Sequence, residues 1–216
     1  MKLKKFAAAA VAAVLSLAML TACGGGGGGG VTVKKIAYEE SRIGQVESTD
    51  QAYMETTMTY RGVTADVILA IKGDKERMDI YSKGMHWATS IYHGNKVYDI
   101  EYPEYPAYQY TDENGEKLNV PVYEESVKQR ESSENPAEVE VGTYSIGNKS
   151  YYAESYTTKK GVKRYICFDG MTPVAIVDIE TGKQPDVMLM KNFRNTDVQD
   201  SLFELPADAV NADTLS

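Results

Sequence analysis

Few side chains in this sequence stand where reactive chemistry could be done. Its thiols are Cys23 and Cys167, and its imidazoles are His86 and His93. A thiol acts as nucleophile or metal ligand only as the thiolate, which needs an accessible, electropositive setting. Cys167 stands in the strand-like run Arg164-Tyr165-Ile166-Cys167-Phe168, where a small buried hydrophobe is expected. His86 and His93 lie seven apart, an odd offset that puts them on opposite faces of a strand and separates them as metal ligands. Glu124, Glu125, Glu131 and Glu134 fall in one charged stretch and read as a solvated face. The motifs H-E-x-x-H, C-x-x-C, G-x-S-x-G and the P-loop are absent. Gly24 to Gly30 contains G-x-G-x-x-G trivially, but no strand precedes it, so no phosphate cradle is expected. No catalytic residue and no metal are expected, and the chain is expected not to be an enzyme.

Cys23 has a different kind of chemistry within reach. Lys2, Lys4 and Lys5 precede an apolar run from Phe6 to Leu20, and Leu20-Thr21-Ala22-Cys23 follows. A basic head, a short apolar body and small residues before a cut site describe a secretory signal peptide, too short to span a bilayer comfortably. The tetrapeptide resembles the lipobox of bacterial lipoproteins. That resemblance implies cleavage before Cys23, a diacylglyceryl thioether on its sulfur and an N-acyl group on its amine. Two or more acyl chains hold a protein on a membrane where a single chain leaks away, at about 0.8 kcal/mol per buried methylene. The expected division is a leader at 1–22, a lipidated Cys23 with a glycine tether through residue 30, and one β domain at 31–216. The expected location is the cell membrane, facing the extracytoplasmic side.

Composition narrows the partners. Removing the leader leaves 20 basic against 31 acidic residues. An acidic surface repels phosphate backbones, so nucleic acid is not an expected partner. Anionic headgroups meet no basic patch, so membrane attachment rests on the lipid. With Cys23 acylated, no intrachain disulfide can form, and packing alone must hold the domain.

Most of the chain reads as β. Met54, Met58 and Tyr60 alternate with polar residues, a period of two. Further strands are expected over Val63 to Ile71, Arg77 to Tyr81, Met85 to Tyr92 and Lys96 to Tyr102. Val31-Thr32-Val33 is expected as a short first strand, Tyr38 to Asp50 as loop or short helix, and Ala107 to Thr111 as an edge segment. Tyr123 to Glu134 is expected as a surface helix or loop. Five strands follow, over Glu138 to Ile146, Ser150 to Thr158, Val162 to Phe168, Pro173 to Ile179 and Asp186 to Phe193, with glycine turns between them. The tail after Ala207 is expected to fray.

Three stretches resemble the LolA/LolB-like superfamily of lipid-binding lipoproteins. They are Glu76-Arg77-Met78-Asp79-Ile80 with the hairpin Ile91 to Asp99, the late meander Tyr151 to Ile179, and the ending Asp200-Ser201-Leu202-Phe203-Glu204-Leu205-Pro206. The resemblance implies a mainly β (α+β) fold: a strongly curved antiparallel sheet forming an open half-barrel, with one or two short helices on its concave side. It implies an apolar pocket that binds or carries a lipid or other hydrophobic ligand. The expected lining is Met54, Met58, Val67, Leu69, Met78 and Ile80, with Trp87, Tyr98, Ile100, Phe168 and Ile176. Methionine suits such an adaptable surface. The alternative is a cell-envelope interaction or sensor module with a filled core and no ligand, marked by a contiguous exposed tyrosine patch.

Overall fold

The computed structural model describes residues 34–60, 63–104, 110–112, 114–128 and 135–215. The expected leader, Cys23, the glycine tether and Val31-Thr32-Val33 lie outside them, as does most of the Ala107 to Thr111 segment.

Strand β1 (Lys34–Ala37) leads through a 3-10 turn (Tyr38–Glu40) into helix α1 (Arg42–Glu47). Strands β2 (Gln51–Tyr60), β3 (Val63–Lys72), β4 (Lys75–Ser82), β5 (Met85–His93), β6 (Lys96–Glu101) and β7 (Val122–Val127) form a first meander. Strands β8 (Glu138–Ile146), β9 (Lys149–Thr157), β10 (Lys163–Asp169), β11 (Thr172–Ile179) and β12 (Asp186–Arg194) form a second. Hairpin turns are tight where the sequence allows positive φ. Lys83 and Gly84 adopt φ of 53° and 77°, the signs that a type I′ turn requires to match strand twist.

All the strands belong to one 13-stranded sheet, in the order β1-β8-β9-β10-β11-β12-β2-β3-β4-β5-β6-β7-β13, where β13 is Val210–Asn211. Strand β12 joins the two meanders by pairing with β2. The two ends of the chain therefore cap opposite meanders: β1 borders β8, and β13 borders β7 in parallel. Both edges are blunted, one by a four-residue strand carrying Lys34 and Lys35, the other by β13 and a following 3-10 turn (Ala212–Thr214).

Each meander is covered on a different face of the sheet. On one face, α1 and the turn before it cover the second meander: Tyr38 and Ile43 pack on Val139 and Phe168. On the opposite face, a strap at 198–205 covers the first meander, where Val198 and Phe203 pack on Ala70, Ile91 and Ile100. Helix α1 holds its position through a carboxylate of the sheet. Glu154, fully buried, accepts from the backbone N–H groups of Arg42 and Ile43, at 2.9 Å each. Ser41 caps the same end by accepting from Gly44 N–H at 2.9 Å. Gly44 is required there, because a Cβ would stand 2.2 Å from the Tyr38 carbonyl oxygen.

These observations correct the expected half-barrel. The sheet is open and mixed, not closed or strongly curled: its edge strands β1 and β13 stand at opposite ends of the strand order, and the β7–β13 pair is parallel. The six-residue α1 is the longest helix among the described residues, too short to fill a barrel mouth. No described helix is long and apolar enough to cross a membrane. Part of the expected helix or loop from Tyr123 to Glu134 is strand β7; residues 129–134 lie outside the described residues. The tail expected to fray instead carries β13, held on β7.

Candidate functional site

Sheet geometry first decides which residues meet. Strands β8 to β11 bring Gly142, Ala153, Cys167 and Ala175 into one row across the sheet, each in register with the next. Because side chains alternate along a strand, the residue two positions away shares that face. Those residues include Tyr144 on β8, Tyr151 on β9 and Tyr165 on β10. Tyr144 pairs directly with Tyr151, and the Tyr144 and Tyr165 rings lie 4.9 Å apart at 44°. The small residues of the row are buried between larger neighbours, with Cys167 and Ala175 fully covered. Burial pushes the Cys167 thiol up to about 11, so it stays protonated and unreactive.

Charge pairs ring this apolar centre. Lys163 donates to Glu140, Lys149 lies 3.0 Å from Asp169, and Lys35 lies 3.7 Å from Glu138. Leu189, in register with Ala175, is 51 % exposed. A cleft of about 60 Å³ in this face is lined by residues including Glu140, Gly142, Ala153 and Tyr165. Ligand pockets for organic molecules run to roughly 300–1,000 Å³, so this cleft has room for a few waters and no more.

A second constellation lies on the strap-bearing face of the first meander, where β4 and β5 pair. Arg77 grips Asp79 with two hydrogen bonds, at 2.8 and 2.7 Å. Thr89 donates to Asp79 at 2.5 Å, and His86 Nε2 lies 3.2 Å from the same oxygen. The His86 ring is stacked between Tyr81 and Tyr102, with centroids 4.3 and 3.7 Å away. Simple alternation would turn His86 to the other side. A β-bulge after Ile80 sets His86 opposite Tyr81 while Ala88 stays opposite Ile80, which rolls the imidazole onto the Asp79 face. The expectation that His86 and His93 occupy opposite faces is thereby corrected: both lie on this face, at opposite ends of β5. Arg77 also donates to the Leu202 carbonyl at 2.8 Å, so the Asp79 site ties the strap to the sheet. No group of three or more His, Cys, Asp or Glu residues could hold a metal among the described residues.

Nine of the eleven residues expected to line one lipid pocket are distributed over three packed clusters. Met54, Met58, Val67, Leu69, Met78 and Ile80 share a cluster with Tyr92 and Val97. Tyr98 and Ile100 belong to the cluster under the strap. Phe168 packs beneath α1, and Ile176 is in register with Ile166 and Met188. Trp87 stands at the bulge of β5. The ligand-carrying reading is corrected on this ground: Met78 and Val97 are 1 % and 0 % exposed, so packed side chains stand where the acyl-binding hollow was expected. Cys23 lies outside the described residues.

The tyrosine face had a signal in the sequence that strand reading passed over. Gly142 and Tyr144, Tyr151 and Ala153, and Tyr165 and Cys167 set a tyrosine two positions from a small residue in three successive strands. The bulge that recruits His86 left no comparable trace.

No family model matches this chain, and no curated protein sequence matches it. Among solved structures, the chain is similar to an uncharacterized conserved protein from Thermus thermophilus, at 12 % identity and a TM-score of 0.48, over 79 % of this chain and 96 % of that one.

Proposed function

We propose that this protein is a lipid-anchored interaction module of the cell envelope, which contacts a protein partner through the tyrosine face of β8 to β11 and holds no small ligand. The observation that carries the reading is that face: half-buried Tyr144, Tyr151 and Tyr165 and the exposed Leu189 flank a packed apolar row, on a sheet whose core is filled rather than hollow. Surface patches of this kind mark sites of association. The anchor rests on Leu20-Thr21-Ala22-Cys23 and its basic, apolar leader.

Two measurements test the two halves separately. Cys23→Ala is expected to move the protein from the membrane fraction to medium or uncleaved precursor; unchanged fractionation and mass would remove the anchor from the reading. A photo-crosslinking amino acid at Leu189, in the full chain in intact cells, is expected to yield a discrete protein adduct. Absence of any adduct there, with one equally absent when the probe replaces Tyr151, overturns the contact surface.

A further inference from the structure

We propose that the tips of the β8–β9 and β10–β11 hairpins rest on the phospholipid surface to which the chain is tethered, with Met171 set among the headgroups. This rests on the anchor reading above and adds the part of the domain that meets the bilayer.

Strand direction is the first argument. Cys23 and Lys34 are eleven positions apart, and a chain of that length spans at most about 40 Å. Acyl chains on Cys23 therefore keep the start of β1 within that distance of the bilayer. Strand β1 pairs antiparallel with β8, Lys34 opposite Val141, and β8 continues past that pair to Ile146. Followed back toward Cys23, β1 points to the end of the sheet where β8 turns into β9 and β10 into β11. Lys149 on one of these hairpins lies 3.0 Å from Asp169 on the other, so the two tips stand side by side.

The two ends of these strands also differ in chemistry. Asp169 pairs with Thr172, which leaves Gly170-Met171 as a two-residue turn, and Gly170 takes the positive φ of 62° that a type II′ turn requires at its first central position. Nothing in that geometry asks for an apolar second residue, yet Met171 stands at the tip, 51 % exposed. Behind the tips, the Lys149 ammonium lies 4.7 Å from the centroid of the Tyr151 ring. An apolar tip backed by an amphipathic ring and a long cationic side chain suits the boundary between water and lipid. At the opposite end, the exposed residues of the two turns are Lys159, Lys160 and Gly161, and Thr181, Gly182, Lys183 and Gln184, with no apolar side chain among them. One methionine cannot hold a protein on a membrane where even a single acyl chain leaks away, so attachment still depends on Cys23, and the tips decide which end of the sheet faces the bilayer.

The test uses the full lipidated chain, purified from membranes and reconstituted in phosphatidylcholine vesicles. An environment-sensitive fluorophore is attached at Met171→Cys, Asn148→Cys or Lys160→Cys. Cys23 is blocked by its thioether and Cys167 is fully buried, so the introduced thiol is the one labelled. Circular dichroism confirms folding of each variant. Labels at 171 and 148 are expected to shift to the blue and to be quenched by spin-labelled lipid, while the label at 160 keeps its emission in water. Adding Met171→Asp is expected to reduce the shift at 148, which shows that the side chain and not the dye makes the contact. Equal behaviour of the labels at the two ends, or a shift at 148 that Met171→Asp leaves unchanged, overturns the proposal. Flotation of the same vesicles separates the two levels. A chain that floats with its labels at 171 and 148 in water overturns the contact and leaves the anchor standing; a chain that does not float overturns both.

Discussion

Asp79→Ala is expected to destabilise the fold by about 3–5 kcal/mol, measured as a lower urea midpoint. Asp79 is 5 % exposed and answers three side chains at once: Arg77, Thr89 and His86. Removing it leaves a guanidinium, itself only 16 % exposed, without its counter-charge. The loss spreads because Arg77 also donates to Leu202, and the strap that buries Phe203 depends on where Arg77 points. The double variant Arg77→Met/Asp79→Leu is expected to be less damaged than the single one, since it leaves no unpaired charge. A double variant as unstable as the sum of its parts would show that the pair does not act as a unit.

The same carboxylate predicts the response to acid. Burial alone would raise its pKa, but hydrogen bonds from His86, Arg77 and Thr89 outweigh it and hold Asp79 at about 2, below the ordinary 3.8. A carboxyl depressed in the folded state contributes stability that is fully present above its unfolded value and lost as pH falls through the folded one. The contribution is roughly 2 kcal/mol at 1.36 kcal/mol per pKa unit, and it disappears between about pH 4 and pH 2. Asp79→Asn is expected to flatten the stability profile across that window. A profile equally steep in the variant would place the acid sensitivity elsewhere.

How much of this was legible depended on whether a feature is local. The second meander followed from alternation and glycine turns, and its expected strands match β8 to β12 to within a residue or so at each end. Strand β7 did not follow. Val122–Val127 carries Glu124 and Glu125 and looks solvated, yet it pairs along its length with β6, and that pairing overrides weak strand preference. Likewise Val210–Asn211 is too short to show any period and is a strand only because β7 lies beside it. The pocket expectation failed for a related reason. Apolar alternation reports that a face is buried and is silent on what buries it: Tyr98 and Ile100 meet a strap from residues 198–205, about a hundred positions away in sequence. His86 joined Asp79 through a one-residue bulge, and a single inserted residue reverses every inference from parity.

Glu154 is where the second meander and α1 depend on each other most. The helix is six residues long, far below the length at which a helix is stable by itself, so tertiary contacts must hold it. Its first N–H groups have no partner within the helix, and two of them are answered by Glu154. Tyr152 also donates to this carboxylate at 2.9 Å, and Arg42 stacks over the Tyr152 ring at 3.8 Å. Glu154→Ala therefore strands two backbone donors and a hydroxyl at a fully buried site, and about 3–5 kcal/mol of lost stability is expected. Glu154→Gln keeps the volume and one acceptor oxygen but sets an amide N–H against a backbone N–H, so a smaller loss of about 2 kcal/mol is expected. Hydrogen exchange locates the damage. In both variants the amides of α1 and β1 are expected to lose protection before those of β3 to β5, because the strap and not α1 covers the first meander. Uniform loss of protection through the whole sheet would mean that the two meanders unfold as one unit and that Glu154 is not the local tie its geometry indicates.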